Sequence, residues 1–233
     1  MTEIKFQKDK QGNVEQVILK GVSMYYCNVR RPRPIYDDRN VPYDKARKEY
    51  SVEVAVTEEV ADEYDQVFTK QGSKKMTNKA FKEKFKLESD DELPFPDQKK
   101  QYTLKITQKA QKKDGSALPD GLVPRVFIVE DGKAKDISSS TNVGNGSVGD
   151  ILIRARSVPS YGTFAYLSKI KVNDLVEYQD QGPISNDDKE FLGVDEVELD
   201  EDHHSQSVSN DSSGGDSSEG SEEPEEELDD DDF

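Results

Sequence analysis

The residues with chemistry to offer are cations set among aromatic rings. Arg30, Arg31 and Arg33 form one cluster, with Tyr25, Tyr26, Tyr36 and Tyr43 on either side of it. Lys105 and Lys109 lie on one face of a short alternating run, and Arg125 pairs with Phe127 in another. Arg154 and Arg156 point to one side of Asp150–Val158 while Ile151, Ile153 and Ala155 point to the other; Tyr161, Phe164 and Tyr166 follow, then Lys169 and Lys171. Cations track phosphates and flat rings offer π-faces to unpaired bases, so this interleaving is what binding to a single strand needs. The competing reading of any one of these aromatics is a core residue. Adjacent Tyr25 and Tyr26 are expected on opposite sides of a strand, one packed inside and one exposed.

Other chemistry finds little support. The only histidines, His203 and His204, fall in a segment read as unfolded, so a Ser-His-Asp arrangement or a His-ligated metal in the folded body is not expected. The glycine-rich SSTNVGNGSVGD lacks the Gly-Lys-Ser/Thr end of a phosphate loop and precedes a strand, so it reads as a flexible barrel loop. Cys27 is a lone thiol on a strand. A non-enzyme without cofactor or metal is expected.

The elements that must position these residues are mostly strands. Val14–Asn28 is rich in β-branched and aromatic residues, and Glu49–Thr57 alternates polar with apolar. Between them Arg30–Arg39 carries two spaced prolines and reads as an extended, basic, exposed loop. Thr57 is placed to cap a helix that puts Val60, Tyr64, Val67 and Phe68 on one face, and Asn78–Leu87 is a second helix with Phe81 and Phe85 at i, i+4. These define a helical insert over about residues 58–90. Strands resume at Gln101–Gln111, Val123–Glu130, Asp150–Val158 and Thr163–Tyr178. About six strand segments around one helical insertion predict a mainly β fold, a five-stranded oligonucleotide-binding Greek-key barrel, with a β-sandwich as the alternative.

Charge divides the chain in two. Residues 184–233 hold 21 Asp and Glu against the single Lys189, a net charge of −20, while the remainder holds 31 Lys and Arg against 28 acids, a net of +3. The reading is a folded domain over 1–183 and an acidic, largely disordered tail over 184–233, with disorder from about Asp195. The tail ends Asp229, Asp230, Asp231, Asp232, Phe233, a polyanion with a hydrophobic tip suited to a pocket ringed by basic side chains on a partner protein. No apolar run approaches membrane-spanning length and the N-terminus lacks signal-peptide layout, so a soluble, intracellular protein is expected.

With these residues in view, the chain resembles the single-stranded DNA-binding proteins of lytic tailed bacteriophages. The resemblance is strongest over VFIVEDGKAKDISSSTNVGNGSVGDILIRARSVPSYGTFAYLSKIKVNDLVEY and extends to the N-terminal tyrosines, the Pro/Arg/Tyr loop and the acidic tail closed by Phe233. It implies an oligonucleotide-binding fold that protects single strands during DNA replication, recombination and repair in the cytoplasm of an infected bacterium. It also implies a tail that contacts the phage DNA polymerase and helicase-primase and competes with DNA for the groove, and a possible homodimer. A competing expectation from the same charge split is an acidic DNA mimic or adaptor that recruits or inhibits a DNA-processing enzyme without binding DNA.

Overall fold

Twenty-one consecutive residues in which Val and Tyr recur favour extended backbone, and a strand that long must bend to stay on one core. The computed structural model describes residues 2–112 and 114–177, and its central element is that strand, β2 (Val14–Pro34). The N-terminal half of β2 pairs with β1 (Glu3–Lys8) on one side and β8 (Val148–Val158) on the other. Its C-terminal half pairs with β3 (Lys48–Val56). The bend falls where Gly21 adopts φ 60° and the register with β8 shifts between Leu19 and Val22. A β-carbon is disfavoured at that φ, and the Gly21 amide is held by Asp150 Oδ1 at 3.0 Å.

From β3 the chain runs through α1 (Glu58–Val67), β4 (Lys74–Thr77) and α2 (Asn78–Phe85) to β5 (Lys100–Lys109). It continues through the hairpin β6 (Arg125–Glu130) and β7 (Lys133–Asp136) to β8 and β9 (Gly162–Asp174). The hydrogen-bonded order is β4-β5-β3-β2-β8-β9-β6-β7, with β1 beside β2. The run β5-β3-β2-β8-β9, with a bent strand shared between two neighbours, is the strand order of an oligonucleotide-binding barrel. The fold is thus mainly β with a helical insertion, as expected. The ladder stops short of a ring: β9 lies against β5 with no strand pairing between them. The Gln71 side chain occupies the free edge of β9. Its Oε1 accepts from the Ala165 amide at 2.6 Å and its Nε2 donates to the Ala165 carbonyl at 3.3 Å, standing in for a missing strand residue.

Alternation fills the interior. Val17, Leu19, Met24, Val52, Val54, Leu104, Ile106, Ile151, Ile153, Leu167 and Ile170 are all fully buried. Helix α1 covers this core with Val60, Ala61 and Tyr64, followed by Phe68, and Thr57 Oγ1 caps it by accepting from the Val60 amide. Helix α2 instead lies on the outer side of the sheet. There Phe81 and Phe85 pack with Tyr25, Ala55 and Leu93 in a second apolar cluster.

Several sequence expectations need correction. Residues 30–34 are not loop, because β2 runs on through both prolines, with Arg33 opposite Glu49 and Pro34 opposite Lys48. The Ile35 amide donates to the Arg47 carbonyl, so by alternation Pro32 and Pro34 turn their donor-less nitrogens to the edge that β8 does not reach. Only Tyr36–Asp38 curls, as one 3₁₀ turn. Strands β1, β4 and β7 were not anticipated. The glycine-rich loop is tied to β2: the Gly146 amide donates to the Met24 carbonyl at 2.9 Å, the Met24 amide to the Ser147 carbonyl at 2.8 Å, and the Tyr26 amide to Asn145 Oδ1 at 2.9 Å. None of the described helices is long and apolar enough to cross a membrane. The acidic tail, with His203, His204, Asp229 to Asp232 and Phe233, lies outside the described residues.

Candidate nucleic-acid interface

Antiparallel register decides which side chains meet on the outside of the sheet. Opposite one another on β3 and β5 stand Glu49 and Lys109, Ser51 and Thr107, and Glu53 and Lys105, all on the face turned away from Val52, Val54, Leu104 and Ile106. Asn28 of β2 sits opposite Ser51 and donates to its Oγ at 3.1 Å. Asn28, Glu49, Ser51, Glu53 and Lys105 floor a cleft of about 530 Å³. One wall is Tyr26; the other is the segment from Arg33 and Pro34 through Tyr36 to Arg39.

Each wall has a local cause. Tyr26 has φ 47°, a left-handed conformation that breaks the strand's alternation. Tyr25 and Tyr26 therefore do not face opposite sides of the sheet: both rings pack on Phe85, with centroids 4.3 and 5.3 Å away. Tyr25 is 2% exposed, with its hydroxyl pushed up to about 12 mainly by burial, and its ring cannot stack on a ligand. The Tyr26 hydroxyl donates to the Lys84 carbonyl of α2, which leaves the ring standing at the cleft edge. The second wall is braced at its base. Asp38 accepts from Arg47 Nε at 2.9 Å and Nη2 at 2.8 Å, and from the Arg47 amide at 2.8 Å. Those bonds bring the Asp38 carboxyl down to about 2.

Above this brace, cations rest on rings. The Arg39 guanidinium lies 4.0 Å from the centroid of Tyr36, whose residue surface is 74% exposed. Arg31 and Lys48 lie 5.1 and 4.1 Å from the centroid of Tyr43, whose hydroxyl donates to the Pro32 carbonyl. Arg31, Arg33 and Arg39 have no carboxylate within ion-pair distance among the described residues. On the floor the charges are paired: Lys105 Nζ lies 2.5 Å from Glu49 Oε1, and Lys84 bonds Glu53 Oε1, which also accepts from Thr103 at 2.8 Å. The cleft is therefore cationic and aromatic at its rim and polar at its base.

The sequence candidates do not form one site. Tyr26, Arg33, Tyr36 and Lys105 converge on the cleft, with Lys109 further along β5. Arg31 flanks it on Tyr43, and Arg30 reaches away, its Nε donating to the Ser139 carbonyl at 3.1 Å. The others lie on β6, β8 and β9. Arg125 stands beside Lys169 and Phe127 beside Lys171 in the parallel pairing of β6 with β9, and Tyr166 is opposite Arg154 and Phe164 opposite Arg156. Arg125 is bonded to Asp136 at 3.2 Å. Arg154 is partly buried, its pKa lowered by desolvation, and its Nη2 reaches the Leu122 carbonyl at 3.5 Å. Arg156 lines a separate cleft of about 620 Å³ against the β1–β2 turn, and Tyr161 is 67% exposed on the β8–β9 turn. Asn28, Arg39, Glu49, Ser51 and Glu53 were missed. The alternation of Glu49, Ser51 and Glu53 with Tyr50, Val52 and Val54 was the available signal. Cys27 is half-buried against the core, as expected of a small strand residue, and desolvation pushes its thiol up to about 12.

No protein-family model matches the chain, and no curated protein matches it. Among solved structures it is similar to a single-stranded DNA-binding protein from bacteriophage Enc34, with 13% identity and a TM-score of 0.39 over 81% of this chain and 99% of that one. It is also similar to gp2.5, a single-stranded DNA binding protein encoded by bacteriophage T7, with 15% identity and a TM-score of 0.36 over 77% of this chain and 94% of that one.

Proposed function

We propose that this protein binds single-stranded DNA in the cleft between β2, β3 and β5. The observation that carries the reading is the cleft's layout. Rings that a base can stack on, Tyr36 and Tyr26, stand on opposite walls, and arginines without carboxylate partners among the described residues sit on the rim where a phosphate backbone would run. A duplex presents no unstacked base to such a cleft, so the preferred ligand is single-stranded. Coating and protection of transient single strands in phage replication, recombination and repair follow as the physiological role, in the host cytoplasm and without catalysis. The acidic segment over 184–233, ending in Asp229 to Asp232 and Phe233, is assigned two jobs: recruiting polymerase and helicase-primase, and competing with DNA for the rim arginines at high effective concentration.

The test is fluorescence-detected titration of oligo-dT at several salt concentrations, with the full chain and with a chain ending at Val194. Binding should weaken with salt by about 0.7 log units per log unit of salt for each phosphate neutralised, and the shortened chain should bind tighter. Absence of binding by both forms would leave the adaptor reading, in which the acidic segment carries the only activity.

A further inference from the structure

Resting on the single-strand reading, we infer that Glu49 and Glu53 make the cleft select bases carrying exocyclic amino groups over thymine and uracil. Both carboxylates line the same cleft as the rings of Tyr36 and Tyr26. A base stacked on Tyr36 or Tyr26, with its phosphate drawn to the rim arginines, turns its hydrogen-bonding edge inward. The floor lysines are already engaged by the two carboxylates while the rim arginines hold no acid among the described residues, so a phosphate is better served at the rim and the base edge turns to the floor.

The carboxylates are half used. Glu49 engages Lys105 through Oε1, and Glu53 engages Lys84 and Thr103 through its own Oε1. The Oε2 atoms have no protein partner among the described residues. An ionised carboxylate accepts and never donates. Cytosine offers an N4 amino group, adenine an N6 amino group, and guanine an N1–H and an N2 amino group side by side. Each of these can donate to Oε2. Thymine and uracil present two carbonyl oxygens flanking a single N3–H, which sets acceptor against acceptor. Glu and Asp read cytosine N4 by this logic in DNA grooves. The lysines already bonded to these carboxylates localise the acidic groups on the floor and leave less of their own charge for phosphate.

Oligo-dC and oligo-dU isolate the effect, because the two bases stack alike and differ only at the edge that meets the floor. Anisotropy titrations with the full chain, at mildly alkaline pH where oligo-dC stays unfolded, should give oligo-dC a Kd about fivefold lower or better. Glu49→Gln and Glu53→Gln each keep a similar shape but add an amide donor that can serve the uracil O4, so each should shrink the gap. Loss of the Lys105 ion pair in Glu49→Gln shifts both oligonucleotides together and leaves the gap as the readout. Circular dichroism checks that Glu53→Gln is folded, and the Glu49 variant carries the test if it is not. Equal affinity for the two oligonucleotides, or a gap that neither variant narrows, overturns this inference and leaves single-strand binding standing. Salt-sensitive binding to neither oligonucleotide overturns that reading and the inference with it.

Discussion

Two faces of the sheet carry cations beside aromatic rings, and they differ in what holds the cations. On the β2–β3–β5 face, Arg39 and Arg31 lie over tyrosine rings and Arg33 has no acid within ion-pair distance among the described residues. On the β6–β8–β9 face, Arg125 is bonded to Asp136, Lys171 lies 3.5 Å from Asp150, and Arg154 is partly desolvated under the chain at Leu122. A cation held by an acid must give up that partner before it meets a phosphate, and the exchange nets little. A guanidinium resting on a ring keeps its full charge and its in-plane donors, so a phosphate adds to what it has. Similar composition thus yields a rim whose arginines are open to a polyanion and a region where Arg125, Arg154 and Lys171 are already engaged by acids or backbone.

The largest expected effect breaks the comparison by removing a wall. Phe85 touches Tyr25, Tyr26 and Phe81 and is 2% exposed, so Phe85→Ala should cost about 3–5 kcal/mol of stability. Denaturant unfolding measures this. A loss below 1 kcal/mol would mean that α2 is not packed on the sheet through that ring.

Within the folded range, substitutions on the two faces should diverge. Tyr36→Ala removes an exposed stacking surface and should weaken oligo-dT binding by about 1–3 kcal/mol, whereas Tyr161→Ala, similarly exposed but outside the cleft lining, should leave it nearly unchanged. Arg33→Ala should flatten the salt slope by about 0.7, and Arg125→Ala should not. Equal effects from the two tyrosines would mean that DNA runs over both faces and that ion pairing does not decide where.

How much of this could be read from sequence depended on whether the signal was local. Thr57 and its cap, the Phe81/Phe85 pair and the alternation of β8 follow from spacing alone, and each appeared as expected, whereas β3, read as half-buried, is buried on both sides from Ser51 to Val56. Partners did not follow from spacing. Nothing near Arg125 in a one-dimensional reading of its strand says that Asp136, across a hairpin, will neutralise it. Nor does alternation warn that Tyr26 takes a positive φ, which puts two adjacent tyrosines on the same phenylalanine. The prolines at 32 and 34 argued for loop because their missing donors matter only if the edge they face is paired. Here that edge is open.

The smallest effect expected sharpens the comparison at the brace of the arginine segment. Asp38 is held down to about 2, first by its side-chain hydrogen bonds to Arg47, then by the Arg47 amide and the nearby guanidinium charge. Its carboxylate is therefore favoured in the folded chain relative to the ordinary value of 3.8. A depressed carboxyl contributes stability that is fully present above about pH 4 and is lost as pH falls through about 2, so the brace should hold at every pH where DNA binding is measured. Titration of the Asp38 carboxyl carbon by NMR should show a midpoint near 2 that moves up toward 3.8 in Arg47→Ala. Because the Arg47 side chain is 66% exposed, salt should move the midpoint in the same direction. A midpoint already near the ordinary value would mean that the bidentate pair does not persist in solution. Tyr36 and Arg39 would then reach the cleft on an unbraced segment, and the stacking loss from Tyr36→Ala should shrink accordingly.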